Sequence, residues 1–140
     1  MLPNVEISAI EINEKAVEKL KKIEGLKIYH DSMLNFKPDY KRDMALIKGV
    51  LIHTNPKMLD QVYELLYESS NKYICVIEYY NPVPVEVNYR GHESRLFKRD
   101  FAGEILDKYH DLELVSYGFK YKRENPYYDD LTWFLLKKKD

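Results

Sequence analysis

The order of strand and helix signals predicts an α/β fold, with a sheet that is parallel at first and ends in an antiparallel pair. Three observations carry that prediction. Short β-rich runs alternate with segments of helical period. The connections between them stay short until residue 79, and the last two runs follow one another with no helix between. The 140 residues, 45% hydrophobic and 32% charged, suffice for one core, so residues 1–140 are read as a single domain.

Residues 5–10 (Val-Glu-Ile-Ser-Ala-Ile) form a β-branched strand ended by Glu11. Asn13 offers a helix cap, and Ala16, Val17, Leu20 and Ile23 recur at helical spacing until Gly25 stops them. Residues 26–30 make a second short strand, with a polar turn at Asp31-Ser32. Residues 44–48 are nearly all apolar, as a strand buried on both faces requires. Thr54-Asn55-Pro56 starts a helix, with proline in its first turn. Leu59, Val62, Leu65 and Leu66 mark its buried face, and Ser69-Ser70-Asn71 ends it. Residues 73–77 form another fully buried strand that leads into Glu78.

Between Tyr79 and Phe97 no period holds, and a stretch of that length in a compact domain suits a binding or lid segment. Phe101, Ala102, Ile105, Leu106 and Tyr109 then give a third amphipathic helix. Residues 112–121 and 131–136 are the last two strands, joined by a polar connection too long for a tight hairpin.

Composition excludes several classes. With 22 basic and 23 acidic residues the net charge is −1, so no global field draws nucleic acid or anionic membrane to the chain. No apolar run approaches the roughly 18 residues of a membrane span. Residues 1–6 do not read as a signal peptide. Cys75 stands alone, which excludes an internal disulfide framework and a multi-cysteine zinc site, and the expectation is a reduced, cytoplasmic protein. Thirteen tyrosines stand against 5 phenylalanines. Tyrosine suits wet binding surfaces and sugar stacking, and codon bias in an AT-rich genome explains the count equally simply.

In open parallel sheets ligands bind beyond the carboxyl ends of the strands, which directs attention to Glu11, Asp31, residues 48–53 and residues 78–81. A carboxylate such as Glu11 can accept both hydroxyls of a ribose, or can simply be a surface charge. Asp31 could take an adenine amino group or cap its own turn with Ser32. His53, at a helix start, is either a proton acceptor or a packed histidine. Glu78, closing a buried strand, is either a base with a raised pKa or one half of an ion pair with a nearby arginine. Arg90, His92, Arg95, Lys98 and Arg99 form a local basic patch, able to clamp a carboxylate or phosphate or to be a solvated loop. No metal-ligand spacing, Ser-His-Asp arrangement or Gly-rich phosphate loop is present.

Three segments, Ala9-Ile10-Glu11-Ile12-Asn13, His30-Asp31-Ser32 and the run from Leu46 through Lys48-Gly49 to His53-Thr54-Asn55-Pro56, resemble successive motifs of Rossmann-like methyltransferases that use S-adenosylmethionine. Glu78-Tyr79-Tyr80-Asn81-Pro82, Tyr89-Arg90-Gly91-His92-Glu93, the segment from Arg95 to Glu104 and Asp130-Leu131-Thr132-Trp133-Phe134 resemble, more closely, the pseudaminic acid biosynthesis-associated methylases. The resemblance spans essentially the whole chain and implies a Rossmann-like class I methyltransferase sheet. It implies that Glu11 holds the cofactor ribose, that Asp31 and Ser32 line the adenine, and that Lys48 and Gly49 wall the methionine end. Tyr80, Asn81, Arg90 and Glu93, with His92, would face a small sugar or nonulosonic-acid acceptor, and His53, Glu78 and His92 are the candidate bases.

The family opens with a strand and a Gly-rich turn, whereas here no glycine precedes Gly25. The expectation is therefore an N-terminally incomplete sheet. The strands ending near Glu11 and Lys48 would keep unpaired inner edges, open to each other or to a second copy in a homo-oligomer. Activity would be weak or absent. The alternative is a non-catalytic remnant that binds a sugar or a protein.

Overall fold

A computed structural model of the chain describes residues 4–89, 91–124, 127 and 129–139, and the side chains of residues 89 and 92–95 fall outside that description. The chain divides into two compact units, Met1–Pro38 and Asp39–Asp140.

The first unit is a strand-helix-strand unit. Strand β1 (Ile7–Glu11) and strand β2 (Leu26–His30) run parallel, with Ile7 opposite Leu26 and Glu11 opposite His30. Helix α1 (Glu14–Leu20) joins them, and Asn13 caps it by accepting from the amide of Ala16 at 3.1 Å. Val17 is its buried residue. The helix stops at Leu20, short of Gly25. The amides of Lys22 and Ile23 turn to the carbonyls of Lys19 and Leu20, tightening the chain before Gly25 reverses it at φ 77°.

The second unit is built on a four-stranded sheet in the order β3-β4-β8-β7. Strand β3 (Arg42–Lys48) runs parallel to β4 (Ser70–Glu78). Strand β8 (Leu131–Lys138) runs antiparallel to β4 and to β7 (Leu112–Lys120). This is the expected change from parallel to antiparallel pairing.

Register sorts the side chains into two faces. Ile47 lies opposite Val76, Val76 opposite Phe134, and Ile74 opposite Leu136. That face packs against helix α2 (Leu59–Ser69) and helix α3 (Phe101–Lys108). Leu59, Val62, Tyr63 and Leu66 of α2 and Phe101, Ala102 and Ile105 of α3 are buried there. Tyr63 takes an inner position that the apolar spacing assigned to Leu65, because its hydroxyl can donate to Glu104 Oε2 at 2.6 Å while the ring stays in the core.

The opposite face corrects the expectation of strands buried on both sides. Met44 is 48% and Leu46 55% exposed, while Cys75, Ile77, Trp133 and Leu135 are half-buried. Strand β3 is the outer strand of its sheet, and both helices of the unit pack on the other face. Apolar content alone did not distinguish a two-faced strand from an edge strand with one face packed.

The segment read as aperiodic contains a hairpin. Strand β5 (Val85–Tyr89) pairs antiparallel with β6 (His92–Lys98), closing at Tyr89 opposite His92, with Gly91 at φ 81° in the turn. The alternation Val85-Glu86-Val87-Asn88-Tyr89 was the strand signal; a register shift between Val87 and Tyr89 and the flanking Pro82 and Pro84 obscured it. Beyond it, Asp100 caps α3 by accepting from the amide of Gly103 at 2.8 Å. At the opposite end of the sheet, Lys138 Nζ donates at 2.7 Å to the carbonyls of Tyr67 and Ser70, closing the C-terminus of α2.

The one-faced core has a direct consequence. Ile74→Ala or Leu136→Ala should cost about 2–5 kcal/mol in urea unfolding. Leu46→Ala should cost less than about 1 kcal/mol. Equal losses at all three positions would contradict the assignment of faces.

Candidate functional site

In the first unit the sheet ends place Glu11 and Asp31-Ser32 side by side. Glu11 closes β1 opposite His30, and Asp31 follows His30 directly. Glu11 Oε1 accepts from the amide of Asn13 at 2.7 Å, which orients the carboxylate at the strand end. Asp31 Oδ1 accepts from the amide of Ser32 at 2.7 Å, and Ser32 Oγ accepts from Leu34 at 3.3 Å. The Asp31-Ser32 pair therefore caps its own turn. That role is compatible with ligand contact, since Oδ2 is not engaged in the turn.

In the second unit the chain leaves β3 through Lys48-Gly49. Gly49 adopts φ 64°, a conformation that strains any residue with a Cβ, and its amide donates to the carbonyl of Ile77 at 3.0 Å. A 3-10 turn, Leu51–His53, follows, with Thr54 Oγ1 donating back to the carbonyl of Val50 at 3.0 Å.

Glu78 fixes this turn from the neighbouring strand. Its Oε1 accepts from the amides of Val50 at 2.9 Å and Leu51 at 3.0 Å. The residue is 3% exposed, and Oε2 is buried with no hydrogen-bond partner. Burial pushes the carboxyl above its ordinary value, while the facing amides and nearby His53 pull it back down. Among the described residues no arginine pairs with Glu78: Arg99 Nε instead donates to Glu104 Oε1 at 2.7 Å, and Arg42 pairs with Asp39.

In front of this turn lies a cleft of about 260 Å³, lined by Lys48, Gly49, Ile52, His53, Tyr79, Leu96, Asp129 and Leu131. It brings Lys48, Gly49 and His53 together and leaves Glu78 behind the turn. Tyr80 and Asn81 lie just beyond, with Tyr80 tilted against Phe134 at 5.8 Å and Asn81 Nδ2 donating to the carbonyl of Val83 at 2.6 Å. Arg90 lies outside the described residues, as do the side chains of His92 and Glu93; the backbones of His92 and Glu93 begin β6. Tyr79 falls inside the strand-end segment 78–81 that the sequence singles out, with no role of its own assigned there, and Asp129 escaped the sequence reading. Tyr79 follows the strand-end carboxylate and carried a positional signal, whereas Asp129 comes from the connection before β8 and carried none. Among the described residues no group of three or more His, Cys, Asp or Glu could hold a metal, and no helix is long and apolar enough to cross a membrane.

Comparison with known proteins adds the fold. No family model matches the chain, and no curated protein does. Among solved structures it is similar to the 1,6-didemethyltoxoflavin-N1-methyltransferase of Burkholderia thailandensis with bound S-adenosylhomocysteine (SAH). The TM-score is 0.73 at 12% identity, over 96% of this chain and 62% of that one. It is also similar to an S-adenosylmethionine-dependent methyltransferase of Methanosarcina mazei, with TM-score 0.66, 11% identity, and coverage of 94% and 81%. A third is the magnesium protoporphyrin IX methyltransferase of Synechocystis with bound SAH, with TM-score 0.62, 13% identity, and coverage of 94% and 63%.

The fold is the Rossmann-like class I methyltransferase fold. Within it this chain spans about three-fifths of the Burkholderia protein. Strand β1 is an edge strand of the two-stranded sheet, and β3 is an edge strand of the four-stranded sheet.

The Glu78 contacts predict opposite effects for two substitutions. Glu78→Ala strands two amides and should cost about 1–3 kcal/mol. Glu78→Gln keeps an acceptor and removes the charge. Because the folded pKa is raised, the stability Glu78 contributes is fully present below its ordinary pKa and is lost as pH rises through the folded value. Glu78→Gln should therefore flatten the fall in stability above that ordinary pKa, read by thermal unfolding across a pH series. A wild-type profile that rises over this window would refute the dominance of burial at Glu78, and an alanine variant as stable as wild type would refute the amide contact.

Proposed function

We propose that this chain is a methyltransferase-type domain that binds S-adenosylmethionine and receives a small sugar-type acceptor, a sugar or a nonulosonic acid. The observation that carries the proposal is the cleft at the carboxyl end of the larger sheet, in a fold shared with methyltransferases crystallised with SAH. The resemblance of residues 78–82 and 89–104 to pseudaminic acid-associated methylases supports the acceptor class.

Each unit, taken by itself, offers residues that suit part of that cofactor. Glu11 and Asp31 stand at neighbouring ends of two parallel strands, where carboxylate oxygens can accept ribose hydroxyls and an adenine amino group. Lys48 and Gly49 would wall the methionine end. Gly49, lacking a side chain at a positive φ, lets a ligand approach the backbone there. When bound, S-adenosylmethionine supplies an activated methyl group. The chain's task is then to position the acceptor and take its proton.

A volume of about 260 Å³ lies just below the range of whole-ligand pockets, roughly 300–1,000 Å³. It suits one small ring rather than an extended ligand. His53 lines this cleft and is the base the geometry favours over Glu78, whose oxygens are buried behind the turn. Tyr79 offers a ring face for a sugar, and Tyr80 and Asn81 flank it with polar groups. His92, Arg90 and Glu93 keep the acceptor-facing roles that the resemblance implies.

Calorimetric titration with SAH should show saturable binding, weakened about tenfold or more by Glu11→Ala. Absence of binding to the wild-type chain would overturn the cofactor assignment. Transfer of labelled methyl to nucleotide-sugar pools should fall roughly 100-fold or more in His53→Ala, with SAH binding kept. Sugar binding without any transfer would instead identify a non-catalytic binding module.

A further inference from the structure

Strand β7 is the other outer strand of the larger sheet, hydrogen-bonded to β8 on one side only. Its side chains are unusually apolar for an edge. Leu114, Val115, Tyr117, Phe119 and the following Tyr121 are all exposed, with Tyr117 at 67% and Phe119 at 62%. Soluble proteins protect such edges with charge, proline or a covering element. Here the charges stand at the two ends, Glu113 and Lys120, both exposed.

That arrangement is self-complementary. In its pairing with β8 the strand skips Val115: Leu114 lies opposite Leu136 and Ser116 opposite Leu135. Apply the same skip to two antiparallel copies of β7 about a two-fold axis at Tyr117. Glu113 then falls opposite Lys120 of the second copy, Leu114 opposite Phe119, and Ser116 opposite Gly118. Every pair shares a face of the sheet. Leu114, Tyr117 and Phe119 lie on the face of Leu136, Phe134 and Thr132, while Glu113 and Lys120 lie on the other. Tyr117 already stacks on Phe134 at 6.2 Å, so a Tyr117 pair on the axis would extend an existing aromatic row. Each interface would hold two Glu–Lys pairs by symmetry.

We propose that β7 is a homodimer interface, joining two copies of the four-stranded sheet edge to edge through antiparallel β7 strands. The sequence had pointed instead to the strands ending near Glu11 and Lys48 as the dimerising edges. Strand β3 does expose Met44 and Leu46. Its charges do not favour self-pairing, because Arg42 and Asp43 sit together at one end and Lys48 stands alone at the other.

Light scattering coupled to size exclusion, over a concentration series of the full chain, tests this. A dimer is expected. Glu113→Lys and Lys120→Glu should each raise its dissociation constant about tenfold. The double charge swap should restore it, which loss of fold could not do. Tyr117→Lys should give a monomer with an unchanged circular dichroism spectrum. A wild-type monomer at every concentration would overturn the proposal. So would a dimer that survives Tyr117→Lys and dissociates with Leu46→Lys, which would place the interface on β3.

Discussion

One carboxylate oxygen, shared by the amides of Val50 and Leu51, ties the end of β4 to the turn leaving β3. Parallel neighbours have no tight turn to hold their carboxyl ends together; here the Gly49 amide on the Ile77 carbonyl and the Glu78 carboxylate join them. Glu78 supplies that contact from a position that water scarcely reaches, with Oε2 buried and unpartnered. Its burial opposes ionisation, while the two amide donors favour it. The contact anchors the Val50-Leu51 segment of a turn that also carries the left-handed Gly49, His53 and the cleft wall that includes Lys48 and Ile52. The candidate chemistry of the larger unit rests on a side chain that does not itself line the cleft.

The second constraint is that the four-stranded sheet is covered by its own helices on one face. Ile47, Ile74, Val76 and Leu136 receive α2 and α3, and the stability of the unit is concentrated in that layer. The other face and the two outer strands carry apolar groups that remain accessible, from Met44 and Leu46 on β3 to Tyr117 and Phe119 on β7. Exposed apolar surface arranged in this way marks interaction sites. On β7 the order of charges also specifies which surface it can meet.

Much of this was legible in the sequence where local chemistry decides structure. The Asn13 cap, the Asn55 cap of the 3-10 turn at Pro56–Met58 that leads into α2, and the alternation of strands with helices all act over a few residues, and the structure shows them; the first helix ends at Leu20, five residues before the expected Gly25 stop. What escaped depended on partners distant in sequence. Whether residues 44–48 are buried on one face or two depends on their neighbours in the sheet, not on their own apolar content. The hairpin of residues 85–98 hid behind prolines and a register shift. Glu78 was singled out correctly as a buried strand-end carboxylate. Its partners, amides 27 and 28 residues away, carry no side-chain signature at all. Asp129 reaches the cleft only because the chain returns there before β8.

The methyltransferase fold, at 8–15% identity to its solved neighbours, is a statement about architecture. The turn beside the cleft is anchored by the Glu78 contact, and carbon-detected NMR titration of Glu78 measures it most directly. The carboxyl should titrate above the ordinary glutamate value, and the amide shifts of Val50 and Leu51 should follow with the same midpoint. A carboxyl that titrates in the ordinary range, with those two amides indifferent to it, would contradict the account.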